Sequence, residues 1–314
     1  FPNQGPQSGW ERTPNAITVY SGTLTIKNVK GMNIESDPKG SLYGRGIFVM
    51  GYPGGAGHNS GHGQAKLVIE NDDDPANAVR IRVKDTGEDF GAIEARKNMG
   101  SAEVDIKGLV DIDSKMWRAV ESHGARVSIG GGTIKAVNGA WAAIRAYGEF
   151  VTQNYGTVNF NVTKGADGLA NGAGTNRAVL EGDIVTNGGM GTKGRVSVGL
   201  STADSHWIGN YADTRGYGVT PGQLGAVNLF MKNGSYWKGF ANGAMKVEMS
   251  GAGTHWTGFN VGDNMQLSLA DGAVWHNAIT PEQKDQSNNP AISRVKYFMG
   301  SGGFIDMTGT HRFL

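Results

Sequence analysis

One part of this sequence has the residue types that hydrolysis of a sugar bond would use. The acidic run Asp72–Asp74 lies just before Arg80–Arg82, and the histidine-containing Gly61–Gly63 precedes both. A glycosidase holds two carboxylates about 5–9 Å apart across the bond that it cleaves. Neighbouring aspartates on a strand point to opposite faces, so the run does not supply such a pair in extended form. We therefore predict that Asp72–Pro75 is a solvated turn without a catalytic residue.

Two histidines, His58 and His62, are spaced four apart and suggest a metal site. That spacing brings two imidazoles to one metal ion when the segment is helical. Six of the thirteen residues from Gly51 to Gly63 are glycine, which gives the segment a poor helix propensity. We predict an exposed loop and no metal site here.

The third candidate is a nucleophilic site, because Ser201, Asp204, Ser205 and His206 crowd one segment. A serine nucleophile needs a base and an oxyanion hole that converge in space, and it usually lies in a Gly-flanked motif. Neither Gly-x-Ser-x-Gly nor Gly-Asp-Ser-Gly occurs in the chain. We predict no catalytic residue, no metal and no cofactor, and hence a protein that is not an enzyme.

The composition excludes several classes of protein. The chain has 314 residues with 51 Gly and 9 Pro, 38% hydrophobic residues and no Cys. Gly and Pro are too few for low-complexity disorder, and the glycines have no period of three, which excludes collagen. A net charge of +1 provides no field that would gather nucleic acid or an anionic membrane. The absence of Cys favours an exported protein, and no apolar run is long enough for a transmembrane helix.

Short runs of alternating apolar and polar residues recur along the whole chain. Alternation with a period of two is typical of strands that bury one face, and Gly, Asn or Asp ends each run after three to five residues. Helical periodicity is nearly absent. Examples of the runs are Leu24–Lys27, Val79–Val83, Val104–Ile106, Val127–Ile129, Val158–Val162, Val196–Val198 and Met265–Leu269.

Two internal repeats decide between a sandwich and a solenoid. In the second half, Trp237, Trp256 and Trp275 follow one another at steps of 19 residues. Strands that stack on their counterparts one coil later need such a period, whereas a sandwich does not. In the first half, a small residue followed by an aliphatic residue recurs at Ile47, Ile93, Val120, Ile144 and Val179.

We therefore predict an all-β fold, a right-handed parallel β-helix (β-solenoid) that forms a single elongated rod with inserted loops. About 13 to 15 coils are expected. The predicted organisation is an N-terminal tail or cap over 1–16, β-helix coils over 17–200 and C-terminal coils over 201–314. The tryptophan series has two interpretations, an aromatic ladder inside the coils or an exposed strip that stacks on glycans.

Two features of the repeats resemble a known family. One is the aliphatic strand that closes on Gly, as in Ala143–Gly148. The other is a C-terminal series made of Gly253–Gly258, Leu267–Trp275, Ser293–Phe298 and Gly302–Met307. These features resemble the passenger domains of type V secretion autotransporters, the pertactin-like and self-associating adhesin group. The C-terminal series is similar to the coils that the family uses as a folding nucleus, the autochaperone.

The resemblance implies that the β-helix is right-handed, which parallel crossovers also favour. It implies export to the bacterial cell surface, an extracellular location, and adhesion to a host-cell or matrix protein, to a glycan, or to the same protein on neighbouring cells. Nucleic acid is not an expected partner, and membrane attachment is expected only through a translocator barrel that does not follow in this chain. Two alternatives stay open, a polysaccharide hydrolase or lyase and a purely structural stalk.

Loops that break the period are the places where contacts are expected, because they vary without disturbing the coils. The irregular step from Ile144 to Val179 and the 30 residues between Trp207 and Trp237 both indicate insertions. The segment from 203 to 224 carries side chains that favour recognition sites. Its alternative interpretation is a lid folded back on the coils. The binding residues predicted there are Trp207, Tyr211, Arg215 and Tyr217.

Overall fold

The structure is a computed structural model, and nearly all the regular structure in the described part is β-strand. A single 3₁₀ turn, Pro75–Asn77, is the exception. The described residues are 15–36, 44–51, 63–83, 91–98, 100–114, 118–136, 142–148, 155–186, 194–212, 226–278 and 293–308.

Most strands of the described residues are short, as the alternating runs predict, but Ala102–Ser114 and Arg126–Lys135 span 13 and 10 residues. The strands of the described residues are β1 (Asn15–Val19), β2 (Gly22–Val29), β3 (Asn33–Ser36), β4 (Arg45–Gly51), β5 (Ala65–Asn71), β6 (Val79–Val83), β7 (Ile93–Lys97), β8 (Ala102–Ser114), β9 (Arg118–His123), β10 (Arg126–Lys135), β11 (Ala142–Tyr147), β12 (Gly156–Phe160), β13 (Val162–Lys164), β14 (Ala170–Ala173), β15 (Ala178–Glu181), β16 (Ile184–Val185), β17 (Gly194–Leu200), β18 (His206–Ile208), β19 (Tyr211–Ala212), β20 (Ala226–Lys232), β21 (Tyr236–Lys238), β22 (Ala241–Asn242), β23 (Met245–Ser250), β24 (His255–Gly258), β25 (Met265–Ala270), β26 (Val274–Asn277), β27 (Tyr297–Ser301) and β28 (Phe304–Asp306).

These strands form three parallel stacks in which each strand pairs with its counterpart one turn later. The first stack contains β2, β5, β8, β10, β12, β17, β20, β23, β25 and β27. The second contains β3, β6, the ends of β8 and β10, β15, β18, β21, β24, β26 and β28. The third contains β1, β4, β7, β9, β11, β16, β19 and β22. The prediction of a parallel β-helix is confirmed.

The number of turns differs from the prediction. The strands of the first stack define ten turns in the described residues, not 13 to 15. Insertions make many turns longer than the 19-residue repeat, so the same chain length provides fewer of them. At a strand spacing of ~4.8 Å the stacked backbone extends about 45 Å.

The aliphatic repeat of the first half is largely confirmed. Ile47, Ile93, Val120 and Ile144 occupy one register position of the third stack. The fifth predicted copy, Val179, is wrong, because it lies on β15 in the second stack and pairs there with Thr133. Ile184 on β16 instead occupies the register position next to Ile144 in the third stack. The inserted residues before β15 shift the spacing, which the sequence pattern could not correct for.

The tryptophans occupy one buried column of the second stack, so the interpretation as an internal ladder is confirmed and the exposed glycan strip is wrong. All four indoles are fully buried, and successive rings are parallel with centroids 4.5–4.8 Å apart. In register order the column is Ile34, Ile81, Ile112, Ile134, Leu180, Trp207, Trp237, Trp256, Trp275 and Ile305.

Each indole is also fixed by a hydrogen bond to the preceding turn. The Nε1–H of Trp256 donates to the Gly239 carbonyl at 2.9 Å, and the Trp237 and Trp275 indoles donate to Gly209 and Gly258 at 3.0 Å. These acceptors follow a tryptophan by two positions in the sequence Trp-x-Gly. A Cβ on Gly258 would lie 1.7 Å from the Gly239 oxygen, so the close approach of successive turns requires glycine.

The buried core is continuous from Val19 to Trp275 and runs without a break across residue 200. Aliphatic side chains fill the N-terminal turns, whereas the later turns add the indole stack. Because large aromatic rings bury the most surface, we expect strands β20 to β26 to be more stable against local unfolding than strands β2 to β6. Hydrogen exchange of the folded chain should give slower amide exchange in the later strands. Stronger protection of the early strands would contradict this prediction.

Candidate binding site

In the middle turns of the β-helix, the face of the first stack that points away from the core carries polar side chains. Alternation along each strand points one set of side chains to the core and the other to solvent, and parallel register aligns the outward set in columns. Two neighbouring columns are Glu103, Arg126, Thr157 and Arg195, and Asp105, Ser128, Asn159, Ser197 and Asn228.

An antiparallel hairpin, β13 with β14, leaves the stack at Asn161 and lies against this polar face. Asn161 has a positive φ of 50°, which turns the chain outward, and its buried side-chain amide donates to the carbonyls of Gly199 and Asn176. The Lys164 ammonium donates to the Ser128 hydroxyl at 3.1 Å and ties the hairpin to the sheet. The irregular step from Ile144 to Val179 therefore does contain an insertion, as predicted.

A cleft of about 660 Å³ lies between the hairpin tip and the polar face. Its aromatic side chain is Tyr155, which is 41% exposed and packs against the Arg195 guanidinium 4.9 Å from the ring centroid. The hairpin tip contributes Leu169, which is 49% exposed. Hydroxyl and amide groups form the floor, where Thr157 and Asn228 are partly exposed. Ser197 is buried beneath them, and its hydroxyl accepts a hydrogen bond from the Asn228 amide. An exposed aromatic ring beside hydrogen-bonding side chains suits a polar ligand with an apolar face.

Two of the four binding residues predicted from the sequence lie in the core. Trp207 is in the indole stack on β18 and Tyr211 is fully buried on β19, where its hydroxyl bonds that of Thr186. The prediction that they present their rings from a loop is corrected, because their strands continue the second and third stacks. Arg215 and Tyr217 lie outside the described residues.

The other sequence candidates provide no reactive site in the described part of the chain. Asp72–Pro75 is confirmed as an exposed turn, in which Asp74 caps the 3₁₀ turn through a 2.9 Å bond from the Ala76 N–H. The Ser205 hydroxyl is buried and bonds the Thr202 hydroxyl, whereas the neighbouring His206 side chain lies on the opposite face of the strand. The Ser201 hydroxyl donates to the Asn176 carbonyl. His58 and His62 lie outside the described residues.

A buried ionic cluster, which the sequence did not reveal, lies on the third stack. Glu94 and Glu121 occupy the same register position on neighbouring strands and are almost inaccessible to solvent. Glu94 pairs with the equally buried Arg45. Glu121 pairs with Arg118 and, at 3.4 Å, with Arg145. Two carboxylates on one sheet face therefore do come together in this structure.

The environments of the two carboxylates shift their pKa values in opposite directions. Burial raises the pKa of Glu94, and Arg45 opposes this shift only in part. Burial also acts to raise the pKa of Glu121, but Arg118 and Arg145 together outweigh it and hold that pKa below its usual value.

The cluster includes two further rings. The Tyr147 ring packs under the Arg145 guanidinium at 4.2 Å and stacks on His123 at 4.3 Å. Burial beside Glu121 raises the pKa of the Tyr147 hydroxyl, so this hydroxyl stays protonated. Within the described part of the chain, the two carboxylates of the cluster are almost inaccessible to solvent, with 4% of Glu94 and 2% of Glu121 exposed.

A search of the described residues found neither three metal-binding side chains gathered at one point nor a helix long and apolar enough to cross a membrane. Comparisons with known proteins gave no match to a family model, to a curated protein or to a solved structure.

The residues of the cleft are far apart in the sequence, so sequence patterns alone did not predict them. The insertion itself was visible as an irregular spacing, but Tyr155, Arg126 and Arg195 belong to three different turns. They become neighbours only because parallel register aligns β10, β12 and β17. Only an alignment of the coils, which the irregular spacing obscured, could have placed them together.

Proposed function

We propose that this chain is an exported passenger domain of an autotransporter that acts in adhesion at the bacterial cell surface. Its partner is a host-cell or matrix protein, a glycan, or the same protein on a neighbouring cell. The passenger type of fold is supported by the continuous ten-turn core and by the stacked C-terminal turns. The observation that carries adhesion is the cleft at the hairpin, because it is an open, polar and rigidly held surface.

Surface display tests the proposal. A non-adherent bacterium that displays this chain is expected to gain adherence to epithelial cells or to aggregate with its own kind. Replacing Val162–Ala173 by two glycines should abolish at least about nine-tenths of the gain, because it removes the hairpin wall. The ends can be joined because the Gly174 N–H already donates to the Asn161 carbonyl at 2.7 Å.

A matched control keeps this test specific. Arg80→Gln changes an exposed side chain on β6, away from the hairpin, and should leave adherence unchanged. Display levels and circular dichroism should match for all variants. If the hairpin variant adheres fully, the cleft is not the contact surface and a purely structural stalk becomes the better interpretation. If the unaltered chain confers neither adherence nor aggregation, the adhesion proposal fails.

A polysaccharide hydrolase or lyase is the second candidate, and the Glu94–Glu121 pair is the observation that favours it. Carboxyl groups whose pKa values are pushed apart are typical of acid–base pairs. Their burial argues against the activity, so we expect no release of reducing ends or unsaturated sugars from pectin, alginate or glucans. Turnover that disappears in both Glu94→Gln and Glu121→Gln, with folding retained, would establish the enzyme instead.

A further inference from the structure

The charged side chains of the hairpin cleft are not balanced. Glu103 lies at one end of the cleft and pairs with Lys66 at 3.1 Å, so its charge is already compensated. Arg126 and Arg195 line the same cleft and have no carboxylate partner among the described residues. The Arg195 guanidinium packs against the Tyr155 ring, and Arg126 is exposed. The cleft therefore carries excess positive charge although the whole chain is nearly neutral.

The backbone spacing of the two arginines is set by the fold. Arg126 and Arg195 flank Thr157 in one register column, so two strand intervals, about 10 Å, separate their backbones. Hydrogen bonding between parallel strands holds this backbone distance, and the Arg195 guanidinium packs against the Tyr155 ring. An arginine fork binds a carboxylate or a sulfate through two hydrogen bonds. Two such forks suit a ligand with anionic groups repeated at this distance.

The surroundings of the two arginines limit the ligand class further. Between and beside them, the partly exposed side chains of Thr157 and Asn228 carry a hydroxyl and an amide group. Such groups bond sugar hydroxyls, and an exposed tyrosine edge can pack against the apolar face of a sugar ring. A chain that alternates acidic and neutral sugars provides anionic groups at intervals, hydroxyls between them and apolar ring faces. A flat anionic surface such as a membrane would not enter a cleft behind a hairpin.

We infer that the hairpin cleft binds an acidic polysaccharide, with Arg126 and Arg195 each holding one carboxylate or sulfate group of the sugar chain. The inference rests on the proposed function, because it names the ligand class of the same adhesive surface. It assigns two positioning charges at Arg126 and Arg195, hydrogen-bonding groups at the partly exposed Thr157 and Asn228, and an aromatic wall at Tyr155.

Binding of hyaluronan oligosaccharides to the purified chain, measured by calorimetry, tests the inference. Hyaluronan carries one carboxylate in each disaccharide, carboxyl-reduced hyaluronan carries none, and chondroitin sulfate adds a sulfate. We expect binding of at least one acidic form and none of the reduced form. Tighter binding of chondroitin sulfate would identify sulfate as the preferred group, and equal binding would identify the carboxylate as sufficient.

Substitutions then locate the binding. Arg126→Gln and Arg195→Gln should each weaken binding about tenfold or more, because each removes a charge-assisted contact. Arg126→Lys should recover only part of it, because lysine keeps the charge but not the fork. Arg80→Gln removes the same charge from another face and should change the affinity less than about twofold. Both arginines are at least partly exposed, so the variants should keep the dichroism spectrum of the parent chain.

Two results would overturn the inference. One is a folded chain that binds no acidic polysaccharide. The other is binding that Arg126→Gln and Arg195→Gln weaken no more than Arg80→Gln does. Adherence of bacteria that display the same variants separates the two proposals. Adherence without polysaccharide binding rejects the ligand class alone, whereas binding without any adherence rejects the adhesive function and keeps the site.

Discussion

Trp256→Ala is expected to lower the free energy of unfolding by about 3–5 kcal/mol, the range for truncation of a large buried aromatic side chain. The indole lies between Trp237 and Trp275, with ring centroids at 4.5 and 4.8 Å, and it is fully buried. Alanine would leave a cavity between two rigid turns that cannot collapse without losing the stack. It would also leave the Gly239 carbonyl without the indole donor. Urea denaturation followed by circular dichroism measures the loss.

Two companion variants separate the contributions to this loss. Trp256→Phe keeps an aromatic ring in the stack but removes the N–H, so we expect about 1–3 kcal/mol for the unsatisfied carbonyl and the smaller ring. His255→Ala alters the neighbouring residue, which is partly exposed on the opposite face, and should cost about 1 kcal/mol or less. Equal losses for His255→Ala and Trp256→Ala would show that the indole stack does not dominate the stability of these turns.

The second large effect is expected at the buried ionic cluster. Glu121→Gln should destabilise the chain by about 3–5 kcal/mol at neutral pH, because it leaves buried arginine charge uncompensated. Glu121 pairs with both Arg118 and Arg145, and its side chain is only 3% exposed. Glu103→Gln is the matched control, since its bridge to Lys66 is half-exposed and worth about 1 kcal/mol or less. Urea midpoints at constant slope measure the difference.

The pH dependence of the Glu121 effect has a defined sign. The folded-state pKa of Glu121 is lowered, so the stability that its charge contributes is present above its unfolded pKa and lost as the pH falls through the folded value. The difference between the parent chain and Glu121→Gln should therefore narrow in acid. A difference that stays constant from neutral pH to below the folded pKa would contradict this account.

Glu94 provides an internal comparison for the same measurement. Burial raises the pKa of Glu94, so loss of its negative charge costs the folded state less than the same loss at Glu121, whose pKa is lowered. We expect Glu94→Gln to cost less than Glu121→Gln, although Arg45 then loses its partner. The opposite order would show that the Arg45 pair, and not the double pairing of Glu121, holds the cluster together.

The sequence predicted the fold class because the relevant signals are local. Alternation in runs such as Met265–Leu269 predicts strands that bury one face, and the 19-residue step between tryptophans predicts that they stack turn on turn. The indoles of Trp237, Trp256 and Trp275 lie inside as their more ordinary interpretation required. The sequence also predicted a turn correctly, since Asp72–Pro75 forms the exposed turn that its composition indicated.

The prediction of the binding residues was less successful, because the sequence of one segment does not show whether its side chains are buried. Burial depends on the strands that stack above and below that segment. Trp207 and Tyr211 have the residue types of a recognition loop and follow an irregular spacing. Only the register of β18 and β19 with the strands above and below them shows that both rings lie in the core. The rest of the predicted binding segment, 213–224, lies outside the described residues.

What the sequence determined by itself is therefore the periodic part of the protein, namely strands, turns and the parallel stacking of coils. The tertiary structure decided which residues of different turns become neighbours. Parallel register brings Arg126 and Arg195 to one side of a cleft and Glu94 and Glu121 to one buried cluster, although 69 and 27 residues separate them along the chain. Because insertions of unequal length separate the turns, spacing along the sequence does not predict which residues become neighbours. Hydrogen bonding between strands fixes their distances in space.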